Sequence, residues 1–108
     1  MEDLTHAFFT CQKSLVSGLA LLGYVQSVIP NLTQEQVLRL ELGHELSDVD
    51  QLATVCLLST GLKYIWEARV ERKAAVIYKM RAEIEAKISI LRKTRYIASG
   101  TKMLEMIS

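Results

Sequence analysis

Trp66-Glu67-Ala68-Arg69 and, farther on, Ile90-Leu91-Arg92-Lys93-Thr94-Arg95-Tyr96 belong to one stretch, residues 48–99. It holds no proline and, at Gly61, a single glycine. Alanine, glutamate, lysine, arginine, methionine and isoleucine dominate its second half, and most of these are good helix formers. Leu52, Val55, Cys56, Leu58, Leu62, Ile65 and Trp66 form a broad apolar face at helical spacing. Beyond it Val70, Ala74, Ile77, Arg81, Ile84, Ile88, Leu91 and Arg95 step by four and three, close to a coiled-coil seam with arginine at two positions. The pattern predicts one long helix, about residues 48–98. Unbroken, some fifty residues rising ~1.5 Å each make a rod of roughly 75 Å. Such a rod needs a partner, or more of its own protein, to cover the stripe.

Outward from the rod, the chain reads as all-α. Two short helices are expected over residues 13–46. Leu15, Leu19, Leu22, Val25 or Gln26, and Ile29 recur at three and four, and Val16, Leu21 and Val28 widen the stripe, so this helix is expected to be buried on most sides. Gly18 and Gly23 lower its propensity and leave room for a close neighbour. Pro30 ends it. Thr33-Gln34-Glu35-Gln36 matches a capping box for the next helix, with Gly43 as its stop. Ser47 or Asp48 caps the rod, Gly100 closes it, and residues 103–107 fold back as a last apolar turn. Residues 3–12 start a further short helix weighted by Phe8 and Phe9. The architecture expected is a single helical domain, residues 1–108, with short helices packed on the N-terminal half of the long one.

At 108 residues the chain is at most one domain, and with half of its residues apolar it is not of disordered composition. Its net charge is +1, but the halves differ. Residues 1–50 carry two basic against seven acidic residues, and residues 51–108 carry eleven against five. Such a gradient suits self-association, an acidic partner or nucleic acid at the C-terminal end, or simply a solvated helix face. The acidic start, Met1-Glu2-Asp3, is unlike the basic beginning of a signal peptide, and an intracellular setting, nucleus or cytoplasm, is expected. Residues 14–34 are free of charge and long enough to span a bilayer, but their serines, glycines, glutamines and Pro30 favour a core helix over a membrane span.

The sequence shows no phosphate-binding glycine loop and no catalytic Ser/His/Asp set, so no enzymatic activity is expected. His6-Ala7-Phe8-Phe9-Thr10-Cys11 has the H-x4-C spacing of the second half of a CCHC zinc knuckle, residues 1–12. Imidazole and thiolate suit zinc, which takes four ligands. The alternative is an exposed His6 and a Cys11 that packs as a small hydrophobe.

Residues 1–12, with an acidic pair, Leu4-Thr5-His6, two aromatics and Cys11, resemble the zinc-binding region of non-LTR (LINE-type) retrotransposon reverse transcriptases. Tyr64-Ile65-Trp66-Glu67-Ala68-Arg69, Met80-Arg81-Ala82-Glu83-Ile84-Glu85-Ala86 and Ile90-Leu91-Arg92-Lys93-Thr94-Arg95 are similar to the tail of such polyproteins. The resemblance implies a C-terminal remnant whose polymerase and endonuclease lie upstream, with zinc as a cofactor of the parent protein. The first two zinc ligands have no match here; only His6 and Cys11 do. Two roles are expected. One is weak, non-specific RNA or DNA binding, in which Arg92, Lys93 and Arg95 meet phosphate and Tyr96 stacks on a base. The other is a coiled-coil-like interaction module that self-associates through the long helix.

Overall fold

Ser47 opens the central helix. Its hydroxyl accepts the Asp50 amide at 3.2 Å, and Asp48 and Asp50 place negative charge in the first turn, where the helix dipole favours it. A computed structural model describes residues 8–9, 11–42 and 46–108 of the chain. Five α-helices are seen among them: α1 (Leu15–Gln26), α2 (Gln34–Arg39), α3 (Asp48–Val70), α4 (Ile77–Arg92) and α5 (Ile97–Ile107). No strand occurs among the described residues, and the all-α class holds. The short helix expected over residues 3–12 lies mostly outside them, as do Gly43 and His44.

The rod does not exist as one helix. It breaks twice, at residues 71–76 and 93–96, into α3, α4 and α5, which pack on one another. The longest dimension of the molecule is 40 Å, about half the rod expected. The first break is a Schellman turn without glycine. Arg72 is left-handed (φ 59°), its amide reaches the Arg69 carbonyl at 2.9 Å, and the Lys73 amide reaches Ala68 at 2.8 Å. Three more bonds hold residues 75 and 76. The Ala75 amide donates to the Lys13 carbonyl at 2.8 Å, the Ser17 hydroxyl donates to the Ala75 carbonyl at 2.9 Å, and the Val76 amide donates to the Tyr64 phenol oxygen at 3.0 Å.

The energetics explain the break. A straight rod would leave Met80, Ile84, Ile88, Met103, Met106 and Ile107 in water; all six are buried in the folded chain. Covering a large apolar side chain contributes about 1.5–3 kcal/mol. A left-handed non-glycine residue costs about 1–2 kcal/mol, and most amides freed at the turn find new acceptors. Burial wins by a wide margin, although no residue in 71–76 is a strong helix breaker. The seam of the rod is therefore divided. Ile84 and Ile88 are covered by this chain, whereas Val70, Ala74 and Arg95 are exposed. Arg81 is used internally: its Nη1 donates to the Ile107 carbonyl at 2.7 Å, and its guanidinium lies 6.0 Å from the Tyr24 ring centroid.

The second break makes α5 a full helix rather than a final turn. Ser99, Gly100, Met103, Met106 and Ile107 face inward, and the Ser99 hydroxyl donates to the Val49 carbonyl at 3.1 Å. Gly100 lies within α5, close to Arg92 and Ile88 of α4, and does not terminate a helix.

The two short helices form, with altered limits. The Thr33 capping box is complete: Thr33 Oγ1 accepts the Gln36 amide at 3.1 Å, and Gln36 Oε1 accepts the Thr33 amide at 3.0 Å. The helix then ends at Arg39, before Gly43, with Leu40 left-handed (φ 54°). In α1 the buried face is Ser17, Gly18, Leu21 and Val25, while Leu15, Val16 and Leu19 are exposed. The larger stripe lost because the small residues permit closer approach. A Cβ on Gly18 would collide with the Phe8 carbonyl, and one on Gly61 would sit 2.5 Å from Leu21 Cδ1. Gly23, by contrast, has nothing within 4 Å of such a carbon.

Three outcomes are expected in thermal unfolding. Gly61→Val overpacks Leu21 and lowers stability by about 2 kcal/mol or more, whereas Gly23→Ala raises it by up to about 1 kcal/mol. Arg72→Gly relieves the left-handed strain, offset by greater freedom in the unfolded chain, and raises stability by about 0.5–1 kcal/mol.

Candidate nucleic-acid interface

Lys93, Thr94, Arg95 and Tyr96 form the connection between α4 and α5, with Arg92 as the last residue of α4. Thr94 shapes it. Its hydroxyl donates to the Leu91 carbonyl at 2.7 Å and accepts the Tyr96 amide at 3.1 Å. All four predicted contact residues are thereby brought together, and all are exposed. The Arg95 guanidinium lies 5.0 Å from the centroid of the Tyr96 ring, and its Nη2 donates to the phenol oxygen at 2.8 Å. Tyr96 remains 40% exposed. The ion pairs among the described residues engage other cations: Arg39, Lys63, Lys73 and Lys102. The turn thus presents three cations and one ring to solvent, the chemistry that meets phosphate and base.

The half zinc knuckle fares differently. His6 lies outside the described residues, and Cys11 is half-buried in the turn before α1. The Cys11 sulfur accepts a hydrogen bond from Arg69 Nη1 at 3.4 Å. A guanidinium at that sulfur disfavours a second cation there. Among the described residues no three His, Cys, Asp or Glu side chains are grouped to hold a metal.

Sequence reasoning missed a second cationic surface. Between the start of α1 and the end of α3 runs a groove of about 410 Å³ lined by Lys13, Trp66, Arg69, Arg72 and Lys73, with Ile65 and Val70 as apolar wall. Among the described residues no carboxylate lines it. The signal was present as three cations within five residues, Arg69, Arg72 and Lys73, just after the only tryptophan. On a continuous rod these cations point outward. Only the break at residues 71–76 sets them opposite Lys13.

The two cationic surfaces lie at opposite ends of α3. Ser99 holds the start of α5 to Val49, in the first turn of α3, and the groove lies at its last turn. From Ala75 at the edge of the groove, the 16 residues of α4 lead to the α4–α5 turn over about 24 Å. No helix among the described residues is long and apolar enough to cross a membrane. Comparison of the chain with protein-family models, with curated proteins and with solved structures found no match.

Both cysteines are free. Cys56 lies where α3 meets α4, in a second groove of about 370 Å³ with Lys63, Glu83 and Lys87. Burial raises its pKa, partly countered by the charge of Lys87. The thiolate is disfavoured, so Cys56 is a packing residue more than a nucleophile. In a Cys11→Ser background, iodoacetamide is expected to modify Cys56 more slowly than a free thiol at pH 8. The rate should rise with a midpoint above the ordinary value of about 8.5. Because the folded state holds the proton more tightly, Cys56 contributes stability below that pH, and the contribution falls as pH rises through the folded pKa. Urea midpoints at pH 7 and pH 10, with Cys56→Ala as reference, check the sign.

Proposed function

We propose that this chain is a non-catalytic helical domain that binds RNA or DNA weakly and without sequence preference. Following its resemblance to the tails of non-LTR retrotransposon reverse transcriptases, we further propose that it is a C-terminal remnant of such a polyprotein. The observation that carries the binding role is the α4–α5 connection, where Arg92, Lys93, Arg95 and Tyr96 stand together in solvent.

The chemistry supports backbone contact rather than base readout. Flexible exposed cations meet phosphates and release counterions, and they carry no base pattern. Tyr96 adds a sequence-tolerant stacking face. Self-association through the long helix has less support. That helix is three helices, and Ile84 and Ile88 of its seam are covered from within.

Fluorescence anisotropy with a labelled single-stranded oligonucleotide tests the role. Binding is expected at low salt, with log K falling against log salt at a slope of about −2 for three phosphate contacts. The triple variant Arg92→Gln, Lys93→Gln, Arg95→Gln should reduce that slope strongly. Absence of binding at low salt refutes the proposal.

A further inference from the structure

The groove between α1 and α3 combines three properties. It is concave, it is lined by four cations, and it carries the chain's only tryptophan. Trp66 is 46% exposed, with the Phe8 ring 6.1 Å away and tilted by 33°. A cationic groove with an aromatic wall suits a ligand that is both anionic and planar.

Local electrostatics favour an anion. The groove receives the N-terminal end of α1 and the C-terminal end of α3, whose dipoles of about half a charge each oppose one another. The last carbonyls of α3 are also hydrogen-bonded within the Schellman turn. The net field therefore comes from the side chains. Arg69 is engaged, among other contacts by its bond to Cys11, and is not counted on for the ligand. Lys73 lies 3.2 Å from Glu71, but both side chains are largely exposed, and such a pair is readily exchanged for a phosphate. Lys13 and Arg72 are both exposed and both line the groove. Their spacing is set by the backbone, because the Lys13 carbonyl holds the Ala75 amide. The cations are thus brought together by the fold and not by a flexible tail.

We infer that this groove is a nucleotide-binding site, in which a base stacks on Trp66 while its phosphate is held by Lys13, Arg72 and Lys73. The nucleotide is a free monophosphate or one unit of a single strand. In the second case the inference rests on the proposed nucleic-acid role and adds a contact about 24 Å from the α4–α5 turn, the length of α4.

Because Trp66 is the sole tryptophan, its emission reports on the groove directly. The intact chain is titrated with adenosine monophosphate and, separately, with a short labelled oligouridylate, reading Trp66 emission and oligonucleotide anisotropy. The expected result is quenching of Trp66 in step with binding. Arg72→Gly and Lys73→Gln should each lower the salt slope by about 0.7, which is about fivefold in affinity at ~0.1 M salt relative to 1 M. Arg72→Gly should melt at or above the wild-type temperature, so its loss of binding cannot be ascribed to unfolding. The Arg92/Lys93/Arg95 triple variant should keep the quenching by adenosine monophosphate while weakening oligonucleotide binding. Oligonucleotide binding with unchanged Trp66 emission and a neutral Arg72→Gly overturns the groove and leaves the proposed function standing. Quenching by the monophosphate without oligonucleotide binding does the reverse. No response to either ligand overturns both.

Discussion

Ser17 is completely buried, and its hydroxyl reaches across to the carbonyl of Ala75, fifty-eight residues away in the chain. With the Lys13–Ala75 and Tyr64–Val76 bonds, it fixes the point where the chain leaves α3 and turns back as α4. Everything distinctive about the molecule depends on that reversal. The apolar faces of α4 and α5 find cover in it, and it sets Lys13 beside Arg72 and Lys73. Without it the same residues would form an extended helix with an uncovered stripe.

The reversal uses no glycine or proline. Arg72 takes the left-handed conformation at a cost of about 1–2 kcal/mol. That strain falls at the rim of the cationic groove, as strain often does where side chains are being placed for use. Leu40 ends α2 in the same conformation, so the chain twice accepts local strain to satisfy burial. Buried polar side chains are correspondingly well matched. Among the described residues no buried side-chain nitrogen or oxygen lacks a hydrogen-bond partner.

Charge follows the fold, not the order of the chain. The sequence divides into an acidic first half and a basic second half. In three dimensions seven of the thirteen cations form two groups, one at the groove and one at the α4–α5 turn. One group, at residues 92–96, is contiguous in sequence and was legible there. The other needs Lys13, which lies more than fifty residues from Arg69 and in the acidic half. No local pattern reports such a juxtaposition. The H-x4-C spacing and its resemblance bear on residues 1–12 alone, and no such local pattern reports the Arg69 guanidinium that meets the Cys11 sulfur.

Local physics by itself determined a good deal. Helical periodicity established the all-α class, the Thr33-to-Gln36 capping box placed the start of α2, Ser47 or Asp48 marked the start of α3, and residues 92–96 were recognisable as a cationic cluster with a tyrosine, though within a helix and not at a turn. Tertiary structure decided the rest. Helix propensity at residues 71–76 and 93–96 differs by only tenths of a kcal/mol from one residue to the next, too little to say whether a helix continues. Covering six large apolar side chains is worth several times more. That burial, gained only when α3, α4 and α5 meet, broke the rod and built the groove around Trp66. Close packing in the same core chose the Ser17/Gly18/Leu21/Val25 face of α1 over its leucine stripe.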